Sequence, residues 1–211
     1  VIDDKPVSGN EILDLLNKDQ KSTESVGSIK SLNVKDSYIE EVSQSLKINK
    51  KLKIVIDCGN GAAGFIAPDL YKNLGCEVIE LYSEVDGNFP NHHPDPGKVE
   101  NLKDLIQAVK THGADLGLAF DGDGDRVGMV TNNGEIVFPD KILMMLSKDV
   151  LHSQKGSIIF DVKCSNALGQ IIKENGGSPI MSPTGHFHIK NGIKKHNPCL
   201  LYTSDAADDA G

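Results

Sequence analysis

The sequence predicts an α/β fold, a mixed and mostly parallel sheet with flanking helices, on three observations. Apolar runs of strand length at residues 54–57, 76–82 and 115–120 alternate with stretches of helical periodicity. Glycine-bearing polar turns follow two of those runs, at 59–64 and 121–126. The same strand, helix, strand order then recurs between residues 158 and 181. A strand that runs into a helix and returns beside itself must pair in parallel.

The elements read in order as follows. Ser8 and Glu11 have capping-box spacing ahead of Ile12, Leu13, Leu15 and Leu16, which predicts a short amphipathic helix. Residues 21–35, rich in Ser and Lys, read as a linker or domain edge. Ser37 with Glu40 predicts the start of a second helix carrying Ile39, Val42 and Leu46. The first strand is 54–57, followed by a glycine-rich turn and a helix ending near Gly75; the second is 76–82, followed by a long irregular loop over 83–98. A helix over 101–111 puts Leu102, Leu105, Ile106 and Val109 on one face and stops at Gly113. The third strand, 115–120, leads into the 121–126 turn. Residues 127–131 and 135–138 flank Asn132, Asn133 and Gly134 as a β-hairpin. Pro139 and Asp140 open a helix running to about Leu151, then come a strand at 158–162, a helix at 167–174 and a strand at 178–181.

A net charge of -8 and a pI near 5.3 argue against a nucleic-acid or anionic-membrane surface. No apolar run reaches membrane-spanning length. Cys58, Cys76, Cys164 and Cys199 are scattered without a Cys-x-x-Cys pair, so a reducing cytoplasm is the expected compartment.

The most informative stretch is Asp121, Gly122, Asp123, Gly124, Asp125 and Arg126. Three carboxylates at alternating loop positions repel one another, and a bound cation is the simplest cure. An all-oxygen set suits Mg²⁺ or Ca²⁺ rather than zinc, and three side chains leave the open positions that Mg²⁺ keeps for water or phosphate. An EF-hand would need glycine in place of Arg126 and glutamate in place of Asn132, and has neither. Asp121, Asp123 and Asp125 are therefore the expected Mg²⁺ ligands. Arg126 can offer its fork to a phosphate oxygen or steady the loop as a salt bridge, and the two roles can coexist.

A rival motif is Gly59, Asn60, Gly61, Ala62, Ala63 and Gly64, which matches a dinucleotide-binding fingerprint with Glu80 about 20 residues beyond its start. It would make the protein an NAD-dependent oxidoreductase; the preferred reading is a tight strand-to-helix turn. The loop from Phe89 to Pro96 holds His92, His93 and Asp95 among three prolines and reads as cleft-lining. Lys163, at a strand's C-terminal end, is where a phosphate would be met. A non-catalytic cation-binding module is a third reading.

At residues 55–61, 85–96, 121–126, 160–164 and 184–186 the chain resembles the α-D-phosphohexomutases, within them the bacterial phosphomannomutase/phosphoglucomutase branch. That resemblance implies four domains around a cleft and transfer of a phosphoryl group between the 6- and 1-hydroxyls of a hexose, by way of a phosphoserine and Mg²⁺. It implies that Asp121, Asp123 and Asp125 bind Mg²⁺, that Arg126 is a catalytic cleft residue, that Lys163 and His186 contact the phosphosugar, and that His186 takes part in proton transfer. Phe187 departs from the serine common after Thr-Gly-His. The implied partners are hexose phosphate and hexose bisphosphate, with no nucleic acid or membrane; the oligomeric state is left open, a monomer being compatible. The division expected is the end of domain one at 1–35, domain two at 36–152, with the boundary near 152–156, part of domain three at 153–199, and a non-native tail at 200–211. The phosphoserine loop and the sugar-selecting loop are expected outside the chain, so this piece is expected to lack mutase activity.

Overall fold

The computed structural model describes residues 9–17 and 28–202, without the side chains of residues 9–11, 15, 186, 187, 190 and 194. The Ser8 cap, residues 21–27 of the expected linker and residues 203–211 of the expected tail lie outside the described residues. The chain divides into two compact units, one of residues 30–139 and one of residues 140–211 with residues 1–29. A first helix, α1 (Gly9–Leu16), falls in the second of these, with Ile12, Leu13 and Leu16 exposed.

In the 30–139 unit, α2 (Lys35–Ser45) starts two residues before Ser37 and has no side-chain cap at Val34. The Ser37 hydroxyl instead donates to the Val34 carbonyl at 3.0 Å. The expected capping role of Ser37 is thus corrected: it sits within the first turn, where a local bond to the backbone competes with capping. Five strands follow, β1 (Lys53–Asp57), β2 (Glu77–Leu81), β3 (Leu116–Phe120), β4 (Val127–Thr131) and β5 (Ile136–Val137), in the sheet order β2-β1-β3-β4-β5. β1 pairs in parallel with β2 and β3, while β4 and β5 join antiparallel.

The inner strand β1 is apolar over residues 54–56 because both its faces are covered. Successive side chains point to opposite faces, so Val55 packs with Leu102, Leu105, Val109, Ala119 and Val130, while Ile54 and Ile56 pack with Cys58, Ala67 and Cys76. The first face is roofed by α4 (Lys103–His112), the second by α3 (Ala67–Asn73). The hairpin turns at Gly134, whose φ of 82° supplies the left-handed residue foreseen there.

The second unit holds α5 (Pro139–Ser153), β6 (Ser157–Asp161), α6 (Asn166–Glu174), β7 (Ser178–Ser182), α7 (His186–His196) and β8 (Leu200–Leu201). Its sheet, β7-β6-β8, is wholly parallel, so four of the six strand pairings in the described residues are parallel. Ser165 caps α6 by accepting the Ala167 N–H at 3.3 Å.

Two expectations about organisation are corrected here. The boundary lies at Pro139/Asp140 and not at the polar break over 152–156, because Leu143 and Leu151 of α5 are buried with Ile158, Phe160, Leu168 and Ile172. The excluded tail also begins too early: Leu200 and Leu201 pair with Ile158 and Ile159, and the Tyr202 N–H donates to the Ile159 carbonyl at 3.0 Å. A two-residue strand is too short to show periodicity, and only its partner reveals it.

Leu105 is fully buried. Leu105→Ala should lower unfolding free energy by about 2–5 kcal/mol in denaturant titration. Lys72 lies 2.6 Å from Glu80, and the hydrogen bond from Lys72 holds the Glu80 carboxyl below its ordinary 4.5. A depressed acid stabilises the fold above that ordinary value and loses the contribution as pH falls through the folded value. Lys72→Met should therefore lower the melting temperature slightly at pH 6 and by less as the pH is lowered below 4.5; at this exposure the pair is worth less than about 1 kcal/mol.

Candidate metal centre

The carboxylate loop joins two antiparallel neighbours, β3 and β4, at the C-terminal end of β3. Its closure depends on one side chain. Asp121 is 1% exposed; its Oδ1 accepts the Arg126 N–H at 2.9 Å and its Oδ2 accepts Arg126 Nε–H at 2.8 Å. Burial pushes the Asp121 carboxyl up, but the bonds and charge of Arg126 outweigh it and leave the group below the ordinary 3.8. Gly124 takes φ 80°, a left-handed bend that a side chain would strain.

That bend brings the acids together. One oxygen from each of Asp121, Asp123 and Asp125 lies within 4.8 Å of the others, with Asp121 buried and the other two exposed. Three carboxylate oxygens this close, two of them on exposed residues, suit a small hard cation that retains water. Among the described residues this is the one such cluster.

The 59–64 turn supports this loop from beneath. A Cβ on Gly61 would lie 2.8 Å from the Gly122 carbonyl oxygen and 2.9 Å from that of Asp121. The Ala62 N–H donates to that Gly122 carbonyl at 2.9 Å. The neighbouring amides are occupied too: Gly59 by Asp57 Oδ1, Asn60 by Tyr82, Gly61 by Cys58 and Gly64 by Gly61. A dinucleotide pyrophosphate needs those amides, and Glu80, cast as its ribose ligand, is paired with Lys72. The oxidoreductase reading is therefore corrected: the glycines serve close approach between two loops of the protein.

The long loop after β2 presses on the same place. His92 Nε2 sits 3.1 Å from both carboxylate oxygens of the fully buried Asp57, and burial pushes Asp57 above the ordinary 3.8 against the opposing pull of His92 and the Gly59 N–H. Asp95, also buried, lies 3.5 Å from Arg126 Nη1. Asn60, Tyr82 and Phe89 hold positive φ of 60°, 52° and 48°, strain that non-glycine residues keep only where surroundings impose it. Tyr82 is so held, by donation of its hydroxyl to Asp104 at 2.7 Å and an edge contact with His92. Sequence reasoning passed over Asp57 and Asp95 as supports of the loop. Their signal was an acid closing an apolar strand and an acid between two prolines.

Comparison with known proteins places the chain in a family. The family model described as phosphoglucomutase/phosphomannomutase, alpha/beta/alpha domain II, matches residues 36–134, and that for domain III matches residues 138–203. The chain belongs to the phosphoglucomutase/phosphomannomutase family. It is 57% identical over 184 residues to a phosphomannomutase/phosphoglucomutase of Pseudomonas syringae pv. tomato, covering 87% of this chain and 40% of that protein. It is 48% identical over 187 residues to a phosphoglucomutase of Neisseria gonorrhoeae, covering 88% and 41%. A crystal structure of a phosphoglucomutase/phosphomannomutase family protein from Burkholderia thailandensis superposes with a TM-score of 0.78 at 45% identity, covering 81% of this chain and 38% of that one. The chain thus spans about 40% of the length of the curated relatives it matches.

The other family motifs lie in the second unit. Lys163 is exposed just beyond β6, its N–H bonded to Asp161 Oδ1 at 3.0 Å. The Thr184, Gly185 and His186 stretch follows β7, β6's parallel neighbour, so both motifs stand at C-terminal strand ends of one sheet. His186 opens α7, but its side chain lies outside the described residues, as does that of Phe187. All four cysteines are free, and burial pushes the Cys58 and Cys164 thiols up to about 11 and about 12. Neither is a thiolate nucleophile at neutral pH.

Gly61→Val should force its branched side chain into the 121–122 backbone. Calorimetry should show divalent-cation uptake weakened at least tenfold, an effect of the size seen when ligand-orienting groups are lost, while NAD binding is undetectable in both wild type and variant.

Proposed function

We propose that this chain carries the metal-binding segment of a Mg²⁺-dependent mutase that interconverts hexose 6-phosphate and hexose 1-phosphate, of mannose, glucose or both, through a phosphoserine of the longer protein. The observation that supports it is the convergence of Asp121, Asp123 and Asp125 within 4.8 Å. These three would hold the ion, which when bound supplies charge neutralisation at a transferring phosphoryl oxygen.

The chain's own residues do the positioning. Arg126 orients Asp121 through Nε and its backbone N–H, and is assigned a second role as a cation facing the phosphorylated substrate. Lys163 is assigned to a substrate phosphate because it is exposed at the end of β6 where open α/β sheets take ligands. His186 is assigned to the sugar and to proton transfer by its place in the Thr-Gly-His motif. Residues 36–134 match the family's second domain and residues 138–203 its third, and residues 1–35 are assigned to the end of the first. Substrates are hexose phosphates and bisphosphates. No helix among the described residues is long and apolar enough to cross a membrane, and the free thiols suit the cytoplasm as the site of action.

Titration of the chain with Mg²⁺ should show one site that Asp123→Ala abolishes; identical uptake by the two proteins rejects the reading. Replacing the matching segment of the Pseudomonas relative with residues 30–202 of this chain should yield an active mutase, and Asp123→Ala in that hybrid should cut kcat by at least 100-fold, the scale on which a lost electrostatic stabiliser is felt.

A further inference from the structure

The loop between β2 and α4 is held down at several points on the strand ends. Asn60 donates its amide to the Glu84 carbonyl at 2.8 Å and accepts that of Asn91 at 2.7 Å. His92 straddles Asp57, 3.1 Å from each oxygen. Pro94 and Phe89 lie over Gly122, and Pro96 against Gly128 just past Arg126. This fastening delivers one charged group, Asp95, to the side of the carboxylate loop.

Asp95 is buried, and a buried carboxylate is tolerated only with partners. Its Oδ1 accepts the Gly97 N–H at 2.9 Å and stands 3.5 Å from Arg126 Nη1, while Oδ2 is 3.7 Å from Lys98 Nζ. Arg126 therefore faces three carboxylates, with Nε 2.8 Å from Asp121 and 3.9 Å from Asp125, and Nη1 toward Asp95. The Asp121 and Asp125 contacts are both made at Nε, and an anion at the Nη1 end adds a constraint on the plane of the guanidinium.

On the Mg²⁺ reading above, we propose that Asp95 is a positioning residue for the metal centre. By holding the Nη1 side of Arg126 it keeps Nε on Asp121, so that Asp121 presents its carboxylate to the same point as Asp123 and Asp125. The His92–Asp57 pair keeps Asp95 in place. Groups that orient a ligand from behind commonly alter metal affinity by 10- to 100-fold without touching the ion.

The bland account of Asp95, a turn held by its bond to Gly97, makes a different prediction. Asp95→Asn retains an oxygen for the Gly97 N–H and removes only the charge that faces Arg126. Mg²⁺ calorimetry on the whole chain should show Asp95→Asn weakening affinity by about tenfold. Arg126→Gln should weaken it at least as much, and the double variant no further than Arg126→Gln alone. The ¹H–¹⁵N resonance of Arg126 Nε should shift in Asp95→Asn. Affinity within twofold of wild type, or effects that multiply in the double variant, overturns the proposal. His92→Gln supplies a second reading should Asp95→Asn lose its circular-dichroism spectrum: a several-fold loss of affinity supports the loop's role, and none overturns it. Should Asp123→Ala bind Mg²⁺ as wild type does, the metal reading itself falls and this proposal with it; loss in Asp123→Ala with none in Asp95→Asn overturns this proposal alone.

Discussion

One buried carboxylate organises the site: Asp121, bonded at both oxygens by the backbone and side chain of a residue five positions later. Burying a charge without partners would cost several kcal/mol, so the loop closes where Arg126 can meet it. Closure brings one oxygen from each of three acids within 4.8 Å of the others. Three carboxylates within 4.8 Å repel one another, a cost that a bound cation would relieve. Glycines make the turn sterically accessible, and the Asp121–Arg126 bonds hold its shape.

A similar device ends an inner strand of each sheet, one parallel to both its neighbours. Asp57 closes β1 and accepts the N–H two residues on, from Gly59; Asp161 closes β6 and accepts that of Lys163. Both carboxylates have no exposed surface. An acid in this place turns the chain out of the sheet while meeting an amide that the strand leaves unpaired. The chemistry-bearing segments therefore leave the carboxyl ends of parallel strands, where an open α/β sheet takes its ligands. In the first unit the glycine turn, the proline-rich loop and the acidic loop meet there, and their backbones touch.

Much of this was legible in the residues. The strands were read within one residue at most ends because a central parallel strand such as 54–56 must be apolar on both faces. The acidic loop was legible because few structural needs call for three aspartates and an arginine around two glycines. The glycine turn was harder: its spacing fits a dinucleotide site as well as close loop packing, and the two differ only in where its amides point. Leu200 and Leu201 showed no pattern of their own, and the role of α5 in the second core was hidden by the polar break that follows it.

Alternation, periodicity and local charge thus determined the fold class and the acidic loop, since each is settled by residues within about ten positions of one another. The tertiary structure alone decided the rest. It spent the amides of the glycine turn on Gly122 and its neighbours, it set the unit boundary at Pro139, and it brought Asp57 to His92 and Asp95 to Arg126 across separations of 35 and 31 residues. Such pairs form because burial removes water from both partners and leaves each the other's best remaining contact, a condition that no local window of sequence contains.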